Sequence, residues 1–426
     1  GFGHPSEILS CSVRPYVPEH RPTILQIIPR LDTGGAERTT IEMTQAIVAA
    51  GGRALVVTEG GRMLAQVTEA GGEIVLLNAG TKNPLSMLAN VSRLRRLIVR
   101  ERVDLLHARS RAPAWSALVA ARLAGRPLVT TYHGAYAERG ALKRAYNSIM
   151  ARGDVVIANS RYTARLIQAR YGTPEDRIRV IHRGIDEQCF DPDRVLADRV
   201  ERLRASWGVE PGQRVILHAA RLTGWKGQKV VVSAAAKLLN RSGVLGDCVF
   251  VLAGDAQGRS DYVNELQQHI ARLGLDGRVR LSGHVEDMPA AYMAAHVAVV
   301  ASTEPEAFGR AAAEAEAMGC PVIATDIGAA PETVRAEPQV PAEEITGWLV
   351  PPGDPEALAE QLRASLSLSE AERAAIGARA RRHVCQSFSL GAMQLATLRV
   401  YDSLLGTQLT ERWVESTSSR SRVPGA

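Results

Sequence analysis

The sequence predicts an α/β protein made of two Rossmann-like, doubly wound domains that face each other across a cleft. Three observations carry this expectation. Short apolar runs of strand character alternate with longer stretches of helical periodicity, as in βαβ units around buried parallel strands. The pattern is interrupted by a Pro- and Asp-rich stretch around FDPDR and then begins again. At 426 residues the chain is too long for one ordinary core, so two or three domains are expected, with a favoured ligand site between them.

In the first half, TILQIIP (23–29) reads as a strand, followed by a Gly-rich turn and a helix over 36–50 that repeats Ile41, Thr44, Ile47 and Val48 at helical spacing. RALVVT (53–58), EIVLLN (73–78), DLLHAR (104–109), PLVTTYH (127–133), DVVIANS (154–160) and RVIHRG (179–184) follow as buried parallel strands. A short helix ending at Trp207-Gly208 precedes the second series: RVILHAA (214–220), CVFVLAG (248–254), RVRLSG (278–283), VAVVAS (297–302), PVIAT (321–325) and GWLV (347–350). The last apolar helix, about 389–405, is expected to pack back across the domain boundary. The expected division is a disordered lead over 1–22, a first domain over 23–190, a second over 191–387, the returning helix within 388–409 and a loose tail over 410–426.

Composition narrows the function. Hydrophobic residues make up 46% and charged residues 23%, which fits a globular protein, and aromatics at 4% argue against the stacking platforms of nucleic-acid binders. The formal charge of +6 suits anionic partners such as phosphates or an anionic bilayer, or reflects an arginine-rich composition. Cys11, Cys189, Cys248, Cys320 and Cys385 are scattered without a CxxC pair, which reads as reduced thiols and not as a zinc site or disulfide scaffold. No apolar run reaches the roughly 18 residues of a membrane span, and the first residues lack the basic-then-apolar order of a signal peptide. The expected location is cytoplasmic, with peripheral contact at the inner face of the membrane.

Open α/β sheets bind ligands outside the carboxyl ends of their strands, so the motifs there carry the chemistry. In PRLDTGGAERTT, Gly34 and Gly35 allow close backbone approach, and the following helix offers free N–H groups to an anion. In TYHGAY, His133 ends a strand; the bland alternative is a histidine satisfied within its turn. In AARLTGWKGQ, Arg221 and Lys226 combine a guanidinium fork with a point charge, a suitable pair for a diphosphate unless both are solvated loop cations. In TEPEAFGRAAAEAEAMG, Glu306 precedes the Phe308-Gly309 turn and Glu314 lies about two helical turns on; a carboxylate accepts from two sugar hydroxyls at once. Glu332, after Pro331, reads first as a helix start. The arginines of SRLRRLIVRERVD (92–104) read as a solvated helix face. Arg139, Lys143 and Arg144 follow His133 closely and are the better candidates for an acceptor phosphate or a membrane surface.

Together, over residues 23–405, these blocks resemble the retaining glycosyltransferases of family 4, which have the GT-B fold. The most specific element is the E-x7-E pair Glu306 and Glu314, supported by the GGAE loop, the Arg221/Lys226 pair, ANS after the sixth strand and LVPPGD (349–354). The resemblance implies a hexosyl or N-acetylhexosaminyl transfer from a nucleoside-diphosphate sugar to a cell-surface glycan or glycolipid, as in lipopolysaccharide or polysaccharide biosynthesis. It implies that Arg221 and Lys226 hold the donor diphosphate and that Glu314 accepts from the ribose. Glu306, with the backbone around Phe308 and Gly309, would hold the sugar, and His133 would sit against it. Gly35 would approach the diphosphate and acceptor, and His284 and Val285 would flank the base. It implies no tightly bound cofactor and no metal. Two departures stand out: Arg310 replaces the aliphatic residue often found after the Phe-Gly turn, and Arg183 in HRGID stands where Asn is common. The competing classes are a GT-B nucleotide-sugar epimerase or hydrolase, a non-catalytic sugar-nucleotide-binding scaffold and, for lack of GxGxxG, more remotely an oxidoreductase.

Overall fold

The computed structural model describes residues 21–32, 34–134, 136, 140–241 and 247–420. The expectations for residues 1–20, Arg139 and 421–426 therefore lie outside the described residues. The first sheet holds β1 (Thr23–Ile27), β2 (Arg53–Thr58), β3 (Glu73–Leu76), β4 (Leu105–Ala108), β5 (Leu128–Tyr132), β6 (Val155–Ala158) and β7 (Ile178–Val180) in the order β3-β2-β1-β4-β5-β6-β7. The second holds β8 (Arg214–Ala219), β9 (Cys248–Ala253), β10 (Val279–Gly283), β11 (Ala295–Val300), β12 (Val322–Thr325) and β13 (Gly347–Val350) in the order β10-β9-β8-β11-β12-β13. Every strand pairing within both sheets is parallel. The two-domain α/β fold is thus as the sequence predicts.

Central strands are buried on both faces, which is why β9 reads as an unbroken apolar run. β3 differs: EIVL is the sheet's edge, and Leu76 is exposed. Helix boundaries follow local chemistry. The Asn83 side chain accepts from the amides of Leu85 and Ser86, with Pro84 at the first helical position. Asp354, in LVPPGD, accepts from Glu356 and Ala357 and so caps the helix Pro355–Leu366.

The chain returns to the first domain after the second is complete. The helix Leu390–Leu405 packs on the helix Gly35–Ala49, and the Gln394 amide donates to the Glu42 carbonyl at 2.8 Å. Tyr401 is fully buried and its hydroxyl lies 2.6 Å from His107 Nδ1, while Nε2 of the same ring pairs with Thr131 at 2.7 Å. Burial holds the His107 pKa well below the usual value, so this network is built on a neutral imidazole.

The tail expected to be loose from residue 410 is instead helical over Leu409–Arg420. Asp402 is the physical reason: its carboxylate accepts from the amides of Leu409 and Thr410 at 2.8 Å each, satisfying orphan donors of the new helix. Leu409, 1% exposed, and Trp413 then close the apolar cluster beneath the helix Gly35–Ala49.

Removing the hydroxyl in Tyr401→Phe leaves a fully buried ring nitrogen of His107 without a partner. The expected destabilisation is about 1–3 kcal/mol in urea unfolding. An unchanged midpoint would mean that this network does not hold the returning helix.

Candidate functional site

The carboxyl ends of both sheets face one cleft, and loops from each supply its walls. A chamber of about 840 Å³ lined by helix Pro84–Arg100 lies elsewhere; the cleft itself holds an 820 Å³ chamber and a 280 Å³ one. The larger is lined by Gly34, Gly35, Arg111, His133, Tyr136 and Arg183 from the first domain, and by Arg221, Trp225, Lys226 and the segment Glu304–Ala311 from the second. The smaller is lined by Asp255, His284, Val285, Tyr292 and Glu314, among others. Gly34, Ala220, Arg221 and Ala311 border both, so the chambers adjoin.

Local backbone chemistry places these groups. The turn after β8 seats Lys226 because Gly227, at φ +79°, packs on the Ala301 carbonyl; a Cβ there would lie 1.8 Å from that oxygen. Gly35 is close to the Arg183 guanidinium, with a Cβ position 1.9 Å from Nη1, so any side chain would displace Arg183. After β11 the chain pairs Glu306 with Gly328 and then starts the helix Arg310–Ala317 from Gly309. Phe308, 2% exposed, is held by Phe388 edge-on at 5.4 Å.

Lys226 Nζ donates to Glu306 Oε1 at 2.8 Å, and Ser302 donates to the same oxygen. Both side chains of the pair are only 15% exposed. Burial opposes ionisation of Glu306, but the Lys226 charge and the two hydrogen bonds outweigh it and hold the carboxyl below its ordinary range. Glu314 Oε1 accepts from Arg310 Nε at 2.7 Å, and the same guanidinium approaches Glu42 of the first domain at 3.5 Å. Burial pushes the Glu42 carboxyl up, against the pull of Arg310 and Arg38. Lys226 also lies 4.3 Å from the Trp225 ring centroid.

His133 is half-buried, and desolvation of its ring together with the Arg183 and Arg109 charges holds its pKa well below the usual value. Arg183 Nη2 donates to its Nδ1 at 3.1 Å. A guanidinium only donates, so Nδ1 is the acceptor and the neutral ring carries its proton on Nε2. That Nε2 has no hydrogen-bond partner among the described residues and belongs to a cleft residue. His133 is thus arranged as a hydrogen-bond donor.

The structure brings together Gly35, His133, Arg221, Lys226, Glu306, Phe308 and Gly309 around the larger chamber, and Val285 and Glu314 around the smaller. It does not bring in Lys143 and Arg144. Both are exposed on the helix Ala141–Asn147, line neither chamber, and Arg144 donates to the Arg170 carbonyl. Glu332 lies in the first turn of the short helix Ala330–Thr333, as its place after Pro331 predicts, and it also crosses the cleft: it accepts from the amides of Arg161 and Tyr162 at 2.9 and 2.7 Å and pairs with His182 at 3.0 Å. Sequence reasoning did not single out Arg111, Tyr136, Trp225 or Tyr292 for the site. Arg111 was within reach, because it directly follows the carboxyl end of β4.

Two parallel-sheet domains whose carboxyl-end loops meet over such a double chamber define the GT-B class of glycosyltransferase. Residues 33–188 match Glycosyltransferase Family 4 and residues 199–383 match Glycosyl transferases group 1. The chain is 33% identical to a glycosyltransferase of Rickettsia africae, with a TM-score of 0.82, over 91% of this chain and 100% of that one. It is 27% identical to Anabaena HepE in complex with UDP-glucose, with a TM-score of 0.78, over 90% of this chain and 100% of that one. Among curated relatives, a D-inositol 3-phosphate glycosyltransferase of Geodermatophilus obscurus is 33% identical over 65% of this chain and 57% of its own length. The chain spans a little over half the length of the curated relatives it matches first. It belongs to glycosyltransferase family 4, whose members are retaining hexosyltransferases.

The Glu306 carboxylate tests the site's electrostatics. Its depressed pKa contributes stability that is present above the unfolded value of about 4.5 and is lost as pH falls through the folded value. Lys226→Met removes the cation and leaves a buried carboxylate. Unfolding at pH 7 should be about 3 kcal/mol easier. Adding Glu306→Gln should recover part of that loss. A single-variant loss that the double variant does not relieve would mean that the two groups are not coupled.

Proposed function

We propose that the protein transfers a hexosyl or N-acetylhexosaminyl group, with retention, from a nucleoside-diphosphate sugar to a cell-surface glycan or glycolipid of lipopolysaccharide or polysaccharide biosynthesis. The observation that carries this is the adjacency of the two chambers on either side of Arg221. The smaller has the size and lining for a nucleoside, with Val285 and His284 against the base and Glu314 for the ribose hydroxyls. The larger offers Lys226, Glu306 and the start of the helix Arg310–Ala317 to a diphosphate and a sugar. UDP as the donor nucleotide is supported by the UDP and UDP-glucose complexes of HepE.

In this reading Arg221 and Lys226 neutralise the diphosphate. An ammonium has three donors, so Lys226 bonds Glu306 and a phosphate oxygen together. As the anomeric C–O bond breaks, negative charge grows on the leaving diphosphate, and these cations stabilise it most in the transition state. The acceptor oxygen attacks from the same face, and its proton passes to the departing phosphate oxygen. His133 Nε2–H donates to a sugar oxygen, and Glu306 accepts from sugar hydroxyls. An epimerase or hydrolase would consume donor without acceptor, so donor turnover with and without a lipid-linked glycan fraction tests the transfer. Turnover independent of acceptor would favour that alternative.

Glu314→Ala removes a charged acceptor. The affinity for UDP should fall by about 10- to 150-fold, the equivalent of roughly 1.5–3 kcal/mol. Unchanged binding of UDP would remove Glu314 from the ribose site.

Contact with an anionic membrane is the second part of the proposal. Lys143 and Arg144 are exposed, and Leu142, 89% exposed, adjoins Lys143. Each basic residue at such a surface contributes about 1 kcal/mol, and salt screens it. The protein should sediment with anionic vesicles at low salt, less so at high salt and less so after Lys143→Gln with Arg144→Gln. Equal recovery on neutral vesicles would overturn the membrane contact.

A further inference from the structure

Five cationic side chains line the larger chamber: Arg111, Arg183, Arg221, Lys226 and Arg310. Lys226 is paired with Glu306, and Arg310 with Glu314 and Glu42. Arg221 borders both chambers, where the donor diphosphate of the proposed reaction lies. Arg111 and Arg183 remain, and neither has an ion pair among the described residues. Arg111 donates to the Asn147 amide oxygen at 2.7 Å and stacks 4.0 Å from the Tyr136 ring centroid. Among the described residues Arg183 donates only to His133, at Nδ1 and at the carbonyl oxygen, and its buried Nε has no partner.

The electrostatics agree with the geometry. Burial, followed by the Arg310 charge, pulls the Arg183 pKa down to about 10; Glu42 and Glu37 act in the opposite sense without bonding to it. Glu37 lies against Gly34, and Glu304 is exposed. The Tyr136 phenol feels both Arg111 and Arg183. A desolvated guanidinium facing neutral groups is unfavourable until an anion joins it. The two arginines follow the carboxyl ends of β4 and β7, on the wall opposite the donor loops.

We propose that Arg183 and Arg111, around Tyr136, form a second anion subsite that binds a phosphate group carried by the acceptor. The proposal rests on the transfer reading above and adds the acceptor's chemical class to it. Two forks on one side of the chamber suit a phosphate monoester, with its several acceptor oxygens. Held there, the phosphate fixes the acceptor's orientation, so that a neighbouring hydroxyl faces the donor sugar.

The test is calorimetric titration of inorganic phosphate into protein saturated with UDP. Phosphate should bind alongside UDP, and Arg183→Gln and Arg111→Gln should each weaken it by roughly tenfold or more, the loss of a charged hydrogen bond. UDP affinity, which also reports intact folding, should stay unchanged in both, and Arg183→Lys should recover part of the phosphate affinity. Repeating the titration with glycerol 3-phosphate and with phosphatidate vesicles separates a soluble from a lipid-borne phosphate; arginine-dependent binding of either supports the subsite. Phosphate expelled by UDP would assign the arginines to the donor diphosphate and overturn the proposal. Equal phosphate binding in the wild type and both variants, or none to the UDP-saturated wild type, would also overturn it. If UDP itself fails to bind, the transfer reading falls first, and the subsite with it.

Discussion

Glu332 ties the two domains together across the cleft with three hydrogen bonds. Its carboxylate takes the first two amides of the helix Arg161–Tyr171 and the His182 ring, all in the first domain, while its own backbone belongs to the second. Those amides are orphan donors at the positive end of a helix, where a carboxylate bonds well and complements the dipole. Thr163 adds a weaker link to the Ala307 carbonyl at 3.4 Å, next to the Phe308-Gly309 turn. This contact between the domains therefore sits beside the loop that carries Glu306 and Phe308.

Within that frame, charge is arranged so that each domain meets the other with incomplete pairs. Lys226 and Glu306 satisfy one another inside the second domain, whereas Arg310 divides its guanidinium between Glu314 and the first domain's Glu42. Nη1 of Arg310 and Oε2 of Glu42 remain buried without hydrogen-bond partners among the described residues. Buried groups of this kind make the cleft sensitive to whatever polar atoms enter it. Glu314 and the first domain's Glu42 are consequently linked through one side chain, which stands where an aliphatic residue is common in the family.

The fold was legible in the sequence because parallel strands buried on both faces are short continuous apolar runs, and those runs end where the ligand loops begin. The same rule made His133, Arg221, Lys226 and Glu306 legible, since each lies just beyond a strand. Glu42 was not, because a glutamate inside a helix has the same local sequence whether it faces water or another domain. The final helix was hidden for a similar reason: TERWVESTSSR is rich in Ser and Thr, weak helix formers, and only the Asp402 cap and the burial of Leu409 make it fold. Arg144 followed His133 closely in sequence, but the helix Ala141–Asn147 carries it to the outside.

The chain passes between the domains twice, and the two passages lie side by side. Ile185 donates to the Phe388 carbonyl at 2.8 Å, and Leu390 donates to the Ile185 carbonyl at 2.9 Å, in a short parallel bridge. Two hydrogen-bonded covalent connections act as a double-leaf flexure, softer to bending about a line through both than to twisting or sliding. Gly184, whose Cβ position lies 2.5 Å from the Leu390 backbone, lets the strips touch. The outgoing and returning strips therefore cannot slide along one another without breaking both backbone hydrogen bonds.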